Sequence, residues 1–275
     1  MVMAGNSHDG RSGRSLWRRM AGRDPAEPHR VATPLELLSD LCFVVAVAQG
    51  SASLHHAISE GHAGTGVLGY AMVFFAIWWA WMNFTWFASA YDTDDAVYRL
   101  LILVQMAGVL ILAAGVPQAF QDEDFGLVTL GYVTMRIALV LLWLRAAHGH
   151  PDGRRSALRY ALGIAVVQVG WIVRLAFTEQ IGLVTFAVLV VAELAVPVWA
   201  ERGRSTAWHP HHIAERYGLF TIIVLGESLL AATIAIQAGL ERQINTAALL
   251  SVAFSGMIIV FAMWWLYFST PPTCC

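Results

Sequence analysis

Four ionisable side chains remain deep within long apolar stretches of the sequence once helix-capping groups and residues close to the span ends are set aside. Such stretches are typical of segments that cross a lipid bilayer. The four side chains are Asp40, Arg136, Glu193 and Glu227. A charged side chain at the bilayer centre costs at least about 2.5–3.5 kcal/mol on insertion scales, so these groups are expected to face a bundle interior and meet one another. One arginine does not neutralise three carboxylates. At least one acid is therefore expected to take up a proton, or to meet water or a cation.

An excess of buried acid is what a proton or cation pathway requires. The first hypothesis is therefore a proton- or cation-coupled transporter or permease, with Asp40 and Glu227 as the coupling carboxylates. Arg136 supplies a counter-charge, and Glu193 is an accessory acid. The alternative is a non-transporting protein in which these groups form a polar cluster that fixes helix packing. No nucleophile–base pair or nucleotide-binding motif is present in the sequence, so an enzyme is not expected and no cofactor is predicted.

The composition indicates a membrane protein. Of the 275 residues, 57% are hydrophobic and 13% are charged, whereas soluble domains carry about 25% charged residues. A net charge of −2 gives no reason to expect nucleic acid as a partner. The lipid bilayer is the predicted partner, while a small-molecule or ion substrate and a homo-oligomer are left open. The three cysteines match neither a disulfide framework nor a metal site.

Eight apolar stretches must position the deep charges, and each has the roughly 17–24 residues that cross a hydrocarbon core of about 30 Å. Backbone groups in lipid must be bonded internally, so each stretch is predicted to be a helix. The third is predicted to stop at Pro117. The fold class is therefore an all-α polytopic transmembrane bundle. The predicted spans are 34–54, 67–88, 100–116, 125–144, 157–177, 181–200, 212–230 and 246–268.

Polar segments flank this transmembrane domain, to which we assign residues 31–268. Residues 1–30 are rich in Arg, Gly and Ser and predict a disordered cytosolic arm. Residues 269–275 are predicted to be a short tail. Arginines concentrate in the arm and in every second loop, and the positive-inside rule then places the N-terminus in the cytosol.

Two roles are open for Glu36 at the start of the first span. Thr33 fits the N-cap, Pro34 the first helical position and Glu36 the reciprocal position of a capping box. This pattern favours capping over transport chemistry for Glu36. Asp40 lies one turn further along the same face, where no cap requires it.

An acidic loop formed by Asp92, Asp94 and Asp95 precedes the third span. Its carboxylates would suit a hard cation, but such a cluster more often caps the next helix. Arg99 lies four residues after Asp95 on the same helical face and is its expected ion-pair partner.

Two groups of polar or aromatic residues each have a structural and a functional interpretation. His211, His212 and Glu215 at the start of the seventh span could supply zinc ligands. Their spacing is not a metal motif, so a solvated cluster at the interface is favoured and no metal site is predicted.

The second span is crowded with aromatic residues such as Trp79 and Trp81. Packing and an interfacial belt are favoured there over a stacking site for a flat ligand.

Three ordered motifs stand out together. The first is TPLELLSDL at 33–41 with FVVA at 43–46, and the second is DTDD at 92–95 with Arg99. The third is His212 with ERYGLF at 215–220 and LGES at 225–228. Together they resemble the bacterial low-temperature-requirement A (LtrA) family over residues 31–268. The resemblance implies a polytopic inner-membrane protein tied to bacterial growth in the cold, and the scaffold alternative is then a non-transporting protein needed for that growth. It implies no substrate.

The resemblance gives weight to the charged residues and the histidine within these motifs. Ser39 departs from the family, which usually has an aromatic residue there. The chain also ends after the eighth span, whereas family members typically continue through further helices, so its Pro-Pro-Thr-Cys-Cys ending is expected to be a truncation. The motif residues are Glu36, Asp40, Asp92, Asp94, Asp95, Arg99, His212, Glu215, Arg216 and Glu227.

Overall fold

The computed structural model of the chain describes residues 17–23, 32–91, 93–176, 179–203, 205–241 and 245–269, with the backbone alone for residues 179–181. These residues form eight α-helices and no strand. All eight helices are long and apolar enough to cross a membrane, which confirms the predicted all-α bundle of eight spans. The cytosolic N-terminus stays a prediction. The helices are α1 Pro34–Ser59, α2 Ala63–Ala90, α3 Ala96–Gln121, α4 Gly126–Gly149, α5 Arg154–Arg174, α6 Glu179–Ala200, α7 Pro210–Glu241 and α8 Thr246–Phe268.

Helices α1 to α5 contribute most of the packed core. Glycines set the contact between α3 and α4, where a Cβ atom on Gly108 would lie 2.8 Å from the carbonyl oxygen of Gly131. Small residues allow this close approach between helices in a membrane. Aromatic side chains of α2 fill the interior beside them, with Trp81, Phe84 and Phe87 almost fully buried.

Helix α3 continues beyond Pro117, so the prediction that the third span stops there is wrong. The helix extends to Gln121, and the backbone N–H of Asp122 donates to the carbonyl oxygen of Gln118 (2.9 Å). Proline removes one backbone donor and crowds the carbonyl group four residues earlier. Membrane helices tolerate this because neighbouring helices and local adjustments satisfy the freed backbone group.

Helices α6 to α8 expose most of their apolar side chains at the edge of the bundle. Val260 is the one buried residue among the described side chains of α8. Helix α7 runs from Pro210 to Glu241 and is longer at both ends than the predicted span 212–230. The first turns of α7 pack against α1, which brings the third sequence motif to the first.

Candidate functional site

The start of α1 places Glu36 in two roles at once. The backbone N–H of Thr33 donates to Glu36 Oε2 (2.7 Å), and the backbone N–H of Glu36 donates to Thr33 Oγ1 (3.3 Å). This confirms the predicted capping box. The other carboxylate oxygen, Oε1, lies 3.2 Å from Nη1 of Arg216 and 3.3 Å from Nε2 of His212. Capping and ion pairing therefore use different oxygens of one carboxylate.

Asp40 lies one turn deeper and forms a two-point ion pair with Arg216. Nε of Arg216 donates to Oδ2 (3.0 Å) and Nη2 donates to Oδ1 (2.5 Å). Trp81 Nε1 donates to the same Oδ1 (2.7 Å). The expectation that Arg136 is the one deep base is therefore wrong, because Arg216 is also fully buried.

Glu36, Asp40, His212 and Arg216 form what we call the α1–α7 cluster, and none is more than 1% exposed. The residues of each helix are four apart, so each pair lies on one helical face. The cluster holds two carboxylates, one guanidinium and one imidazole, and it is neutral when His212 is protonated. The backbone N–H of His212 donates to Nδ1 of His209 (3.3 Å). No hydrogen-bond partner for Nδ1 of His212 occurs among the described residues.

A second buried group, the α4–α6 cluster, consists of Tyr132, Arg136 and Glu193. Glu193 accepts hydrogen bonds from the Tyr132 hydroxyl (2.8 Å), Trp79 Nε1 (2.8 Å) and Trp171 Nε1 (3.2 Å). Nη2 of Arg136 lies 3.3 Å from Glu193 and also donates to the Tyr132 hydroxyl. One acid faces one base here, so this cluster is balanced without a titrating partner.

Glu227 lies apart from both clusters. It is half-buried, and no hydrogen bond or ion pair to it occurs among the described residues. Arg216, to which Asp40 is bonded, precedes Glu227 by about eleven residues of α7, roughly 16 Å of helix. The expectation that Asp40 and Glu227 converge on one interior is therefore not met. Gly226, which precedes Glu227 in the chain, lines an apolar groove of about 620 Å³ between α7 and α8.

The acidic loop caps α3, which confirms the favoured interpretation for Asp95. Oδ1 of Asp95 accepts from the backbone N–H of Tyr98 (2.9 Å) and from Nη1 of Arg145 (2.9 Å). The spacing predicted that Asp95 pairs with Arg99, and this prediction is wrong. Arg99 instead makes a two-point bond to the exposed carboxylate of Asp94 (2.6 and 2.7 Å). Asp92 lies outside the described residues.

Both described loop carboxylates are held ionised. The hydrogen bonds from Arg99 lower the pKa of Asp94. Burial raises the pKa of Asp95, but the hydrogen bonds from Arg145 and from the backbone outweigh it, so the pKa of Asp95 is lowered overall. These groups thus act as fixed negative charges at neutral pH.

Residues 17–23 lie against this end of the bundle, which differs from the free arm expected of residues 1–30. The backbone N–H of Arg18 donates to Asp95 Oδ2 (2.7 Å), and Arg19 Nε donates to the carbonyl oxygen of Gly149 (2.8 Å). Met20 is 1% exposed. The rest of the arm and the tail beyond residue 269 lie outside the described residues.

The histidine-rich start of α7 contributes one side chain to a cluster. His212 is buried, whereas His211 is exposed and Glu215 is half-buried. No group of three metal-ligating side chains lies together in the part of the chain that the structure describes.

The comparisons with known proteins agree with the motifs. A family model described as "Bacterial low temperature requirement A protein (LtrA)" matches residues 31–273. The chain belongs to the LtrA family. An uncharacterized protein of Rhizobium meliloti (strain 1021) is 31% identical over 242 residues, which are 85% of this chain and 57% of that protein. The chain thus spans a little over half the length of that relative. No solved structure gives a significant match.

Two places in the fold bring residues of the three motifs into contact with other elements, and Glu227 of the third motif lies apart from both. Glu36 and Asp40 of the first motif meet His212 and Arg216 of the third, across 176 positions between Asp40 and Arg216. Asp95 of the second motif meets Arg145 and the arm instead. Family membership and eight apolar helices together identify a multi-pass membrane protein.

Proposed function

We propose that this LtrA-family protein is a proton- or cation-coupled transporter or permease of the bacterial inner membrane. Its coupling site in this proposal is the α1–α7 cluster, rather than the pair of Asp40 and Glu227 expected from the sequence. The supporting observation is the charge balance of the cluster. Two carboxylates face one arginine, and the fully buried His212 is the group whose protonation completes the balance.

Charge balance links proton uptake to helix packing. When His212 loses its proton, the cluster carries one net negative charge away from water. An uncompensated buried charge is costly, and breaking a buried ion pair by removing one partner costs about 3–5 kcal/mol. Deprotonation therefore favours the entry of a cation, or the separation of α7 from α1 so that water reaches the carboxylates. The first response exchanges a proton for a cation, and the second couples proton release to a conformational change.

The α4–α6 cluster has a supporting role in this proposal. Its single acid and single base neutralise each other, and the indole groups of Trp79 and Trp171 satisfy further acceptor capacity of Glu193. This charge-balanced cluster holds α2, α4, α5 and α6 together while the α1–α7 cluster changes.

A second candidate function is a non-transporting membrane scaffold needed for growth in the cold. The specific observation in its favour is that every acid of both clusters is almost fully buried and bonded to arginine or tryptophan donors. In that case both clusters only fix helix packing, and the description of the family refers to a structural requirement at low temperature.

Proton binding by the α1–α7 cluster can be measured without knowing a substrate. Proteoliposomes on a solid-supported membrane are exposed to a pH jump, and the transient current is recorded. We expect a current from the wild-type protein and its loss in Glu36→Gln, Asp40→Asn and His212→Gln. The same vesicles are then exposed to panels of cations, amino acids, carboxylates and sugars to find a coupled substrate.

Asp94→Asn is the matched control, because it removes a carboxylate that is exposed and already paired with Arg99. It is expected to leave the current unchanged. Equal pH-jump currents from the wild type and all three cluster variants would refute the coupling proposal. Rescue of cold growth by His212→Gln as complete as by the wild type would then support the scaffold.

A further inference from the structure

A pocket lies at the end of the bundle where α4 begins and α5 ends, opposite the end that holds the arm. Four helices enclose it: α2, α4, α5 and α6. Its atom-free space measures about 410 Å³ including the open mouth, whereas the part that admits a water molecule measures about 30 Å³. The pocket is therefore largely closed in this structure. Its walls include Phe125, Thr129, Tyr132, Trp171, Arg174 and Phe186.

The polar groups of the pocket wall suit an anion. Arg174 is the one charged side chain among the lining residues. Thr129 is 8% exposed, and its hydroxyl forms no hydrogen bond within the described part of the chain. The nearby acid, Glu193, accepts hydrogen bonds from the wall residues Tyr132 and Trp171, and its charge is balanced by Arg136.

The apolar part of the pocket suits a flat ring. The ring centres of Trp171 and Phe186 lie 5.2 Å apart in an edge-to-face arrangement, and those of Tyr132 and Trp171 lie 6.0 Å apart in the same arrangement. Aromatic rings favour such edge-to-face or offset contacts. A ligand ring placed among these three would continue that pattern.

Arg174 covers the pocket in this structure. Its guanidinium carbon lies 5.2 Å from the ring centre of Phe125 and 5.6 Å from that of Phe186. Nε makes a long hydrogen bond to the carbonyl oxygen of Gly182 (3.3 Å). A carboxylate binds arginine through two parallel hydrogen bonds, which a ring face does not offer. A carboxylate ligand therefore binds Arg174 more strongly than the two rings do, and its binding would move the guanidinium off the rings and open the pocket.

We propose that this pocket binds a small aromatic monocarboxylate. Its carboxylate contacts Arg174 and the Thr129 hydroxyl, and its ring packs among Tyr132, Trp171 and Phe186. That this ligand is also the transported substrate rests on the proposed function. Binding itself does not depend on transport.

Equilibrium binding of radiolabelled benzoate to the protein in nanodiscs of neutral phosphatidylcholine tests the proposal. We expect saturable binding that unlabelled benzoate displaces at least tenfold better than benzylamine, which has the same ring and the opposite charge. Arg174→Gln should weaken binding at least tenfold, and Thr129→Val should weaken it several-fold. Arg174→Lys should weaken binding less than Arg174→Gln does, because it keeps the charge but not the two parallel hydrogen bonds.

Arg159→Gln is the matched control, because Arg159 lies near the opposite end of α5, where its guanidinium carbon is 5.9 Å from the ring centre of Trp199. It should bind benzoate as the wild type does. Absence of binding, equal displacement by benzylamine, or wild-type affinity in Arg174→Gln would each overturn the proposal. Displacement of the labelled benzoate by dodecanoate at least as well as by unlabelled benzoate would also overturn it, in favour of a lipid site. Benzoate binding without pH-jump currents would refute only the transport proposal, and currents without benzoate binding would refute only this one.

Discussion

Replacing Arg216 with methionine should strongly destabilise the fold. The guanidinium makes two contacts to Asp40 and one to Glu36, and all three side chains are shielded from solvent. Methionine fills much of the same volume but leaves two carboxylates against one imidazole. Removing one partner of a buried ion pair costs about 3–5 kcal/mol, so we expect a loss of that size in the free energy of unfolding.

Adding Asp40→Asn to this variant should recover part of the loss. In the double variant, Glu36 is the one carboxylate left beside the imidazole of His212, so the cluster carries one negative charge fewer than in Arg216→Met. The amide of asparagine still accepts the hydrogen bond from Trp81. The double variant should therefore be more stable than Arg216→Met alone, which is the sign of coupling that a double-mutant cycle detects between contacting residues.

Denaturant titration in mixed micelles measures these free energies. Arg99→Met is the matched control, since the ion pair of Arg99 with Asp94 is exposed, and it should leave the midpoint unchanged. The charge-balance reasoning fails if Arg216→Met is as stable as the control variant. It also fails if Asp40→Asn deepens the loss in the Arg216→Met background.

Three further outcomes follow from the structure. Trp79→Phe and Trp81→Phe each remove a donor from a buried carboxylate, so each should cost about 1.5–3 kcal/mol in the same titration. The pKa of Asp95 is lowered from its ordinary value of 3.8. The stabilisation of the arm by the Asp95 carboxylate is therefore fully present above pH 3.8, and it is lost as the pH falls through the lower pKa of the folded protein. A spin label on Ala21→Cys should be immobile at pH 7 and mobile at strongly acidic pH, and Asp95→Asn should make it mobile at both. Gly131→Val places a side chain against the α3 backbone and should cost about 1–3 kcal/mol in thermal unfolding.

The eight helices were predictable because length and hydropathy alone determine which segments can cross a bilayer. The N-cap of α1 was predictable for a local reason too, since its donors and acceptors lie within four residues. The continuation of α3 past Pro117 was not, because the neighbours that support a broken backbone bond belong to other helices.

The pairing of Asp40 with Arg216 depends on which helices become neighbours, and apolar composition does not encode that. A signal was nevertheless present. Glu36 and Asp40 are four residues apart, as are His212 and Arg216, and two matched charged faces near helix starts predict a contact between those helices. Arg216 is one of the motif residues, but its place close to the start of the predicted span 212–230 did not mark it as a deep charge.

The sequence pattern also did not predict the hydrogen bonds that the two tryptophan indoles donate to buried carboxylates. Trp79 and Trp81 sit in an aromatic-rich segment for which packing was the favoured role. A buried indole N–H usually finds an acceptor, but which acid it reaches depends on the orientation of α2 in the bundle.

That orientation has a mechanical consequence. Successive helix residues are about 100° apart around the axis, so Trp79 and Trp81 leave α2 about 200° apart, on nearly opposite sides. One indole bonds to Glu193 and the other to Asp40. A rotation of α2 about its own axis would lengthen both hydrogen bonds together. A rearrangement around one carboxylate that rotates α2 would therefore also change the hydrogen bond to the other.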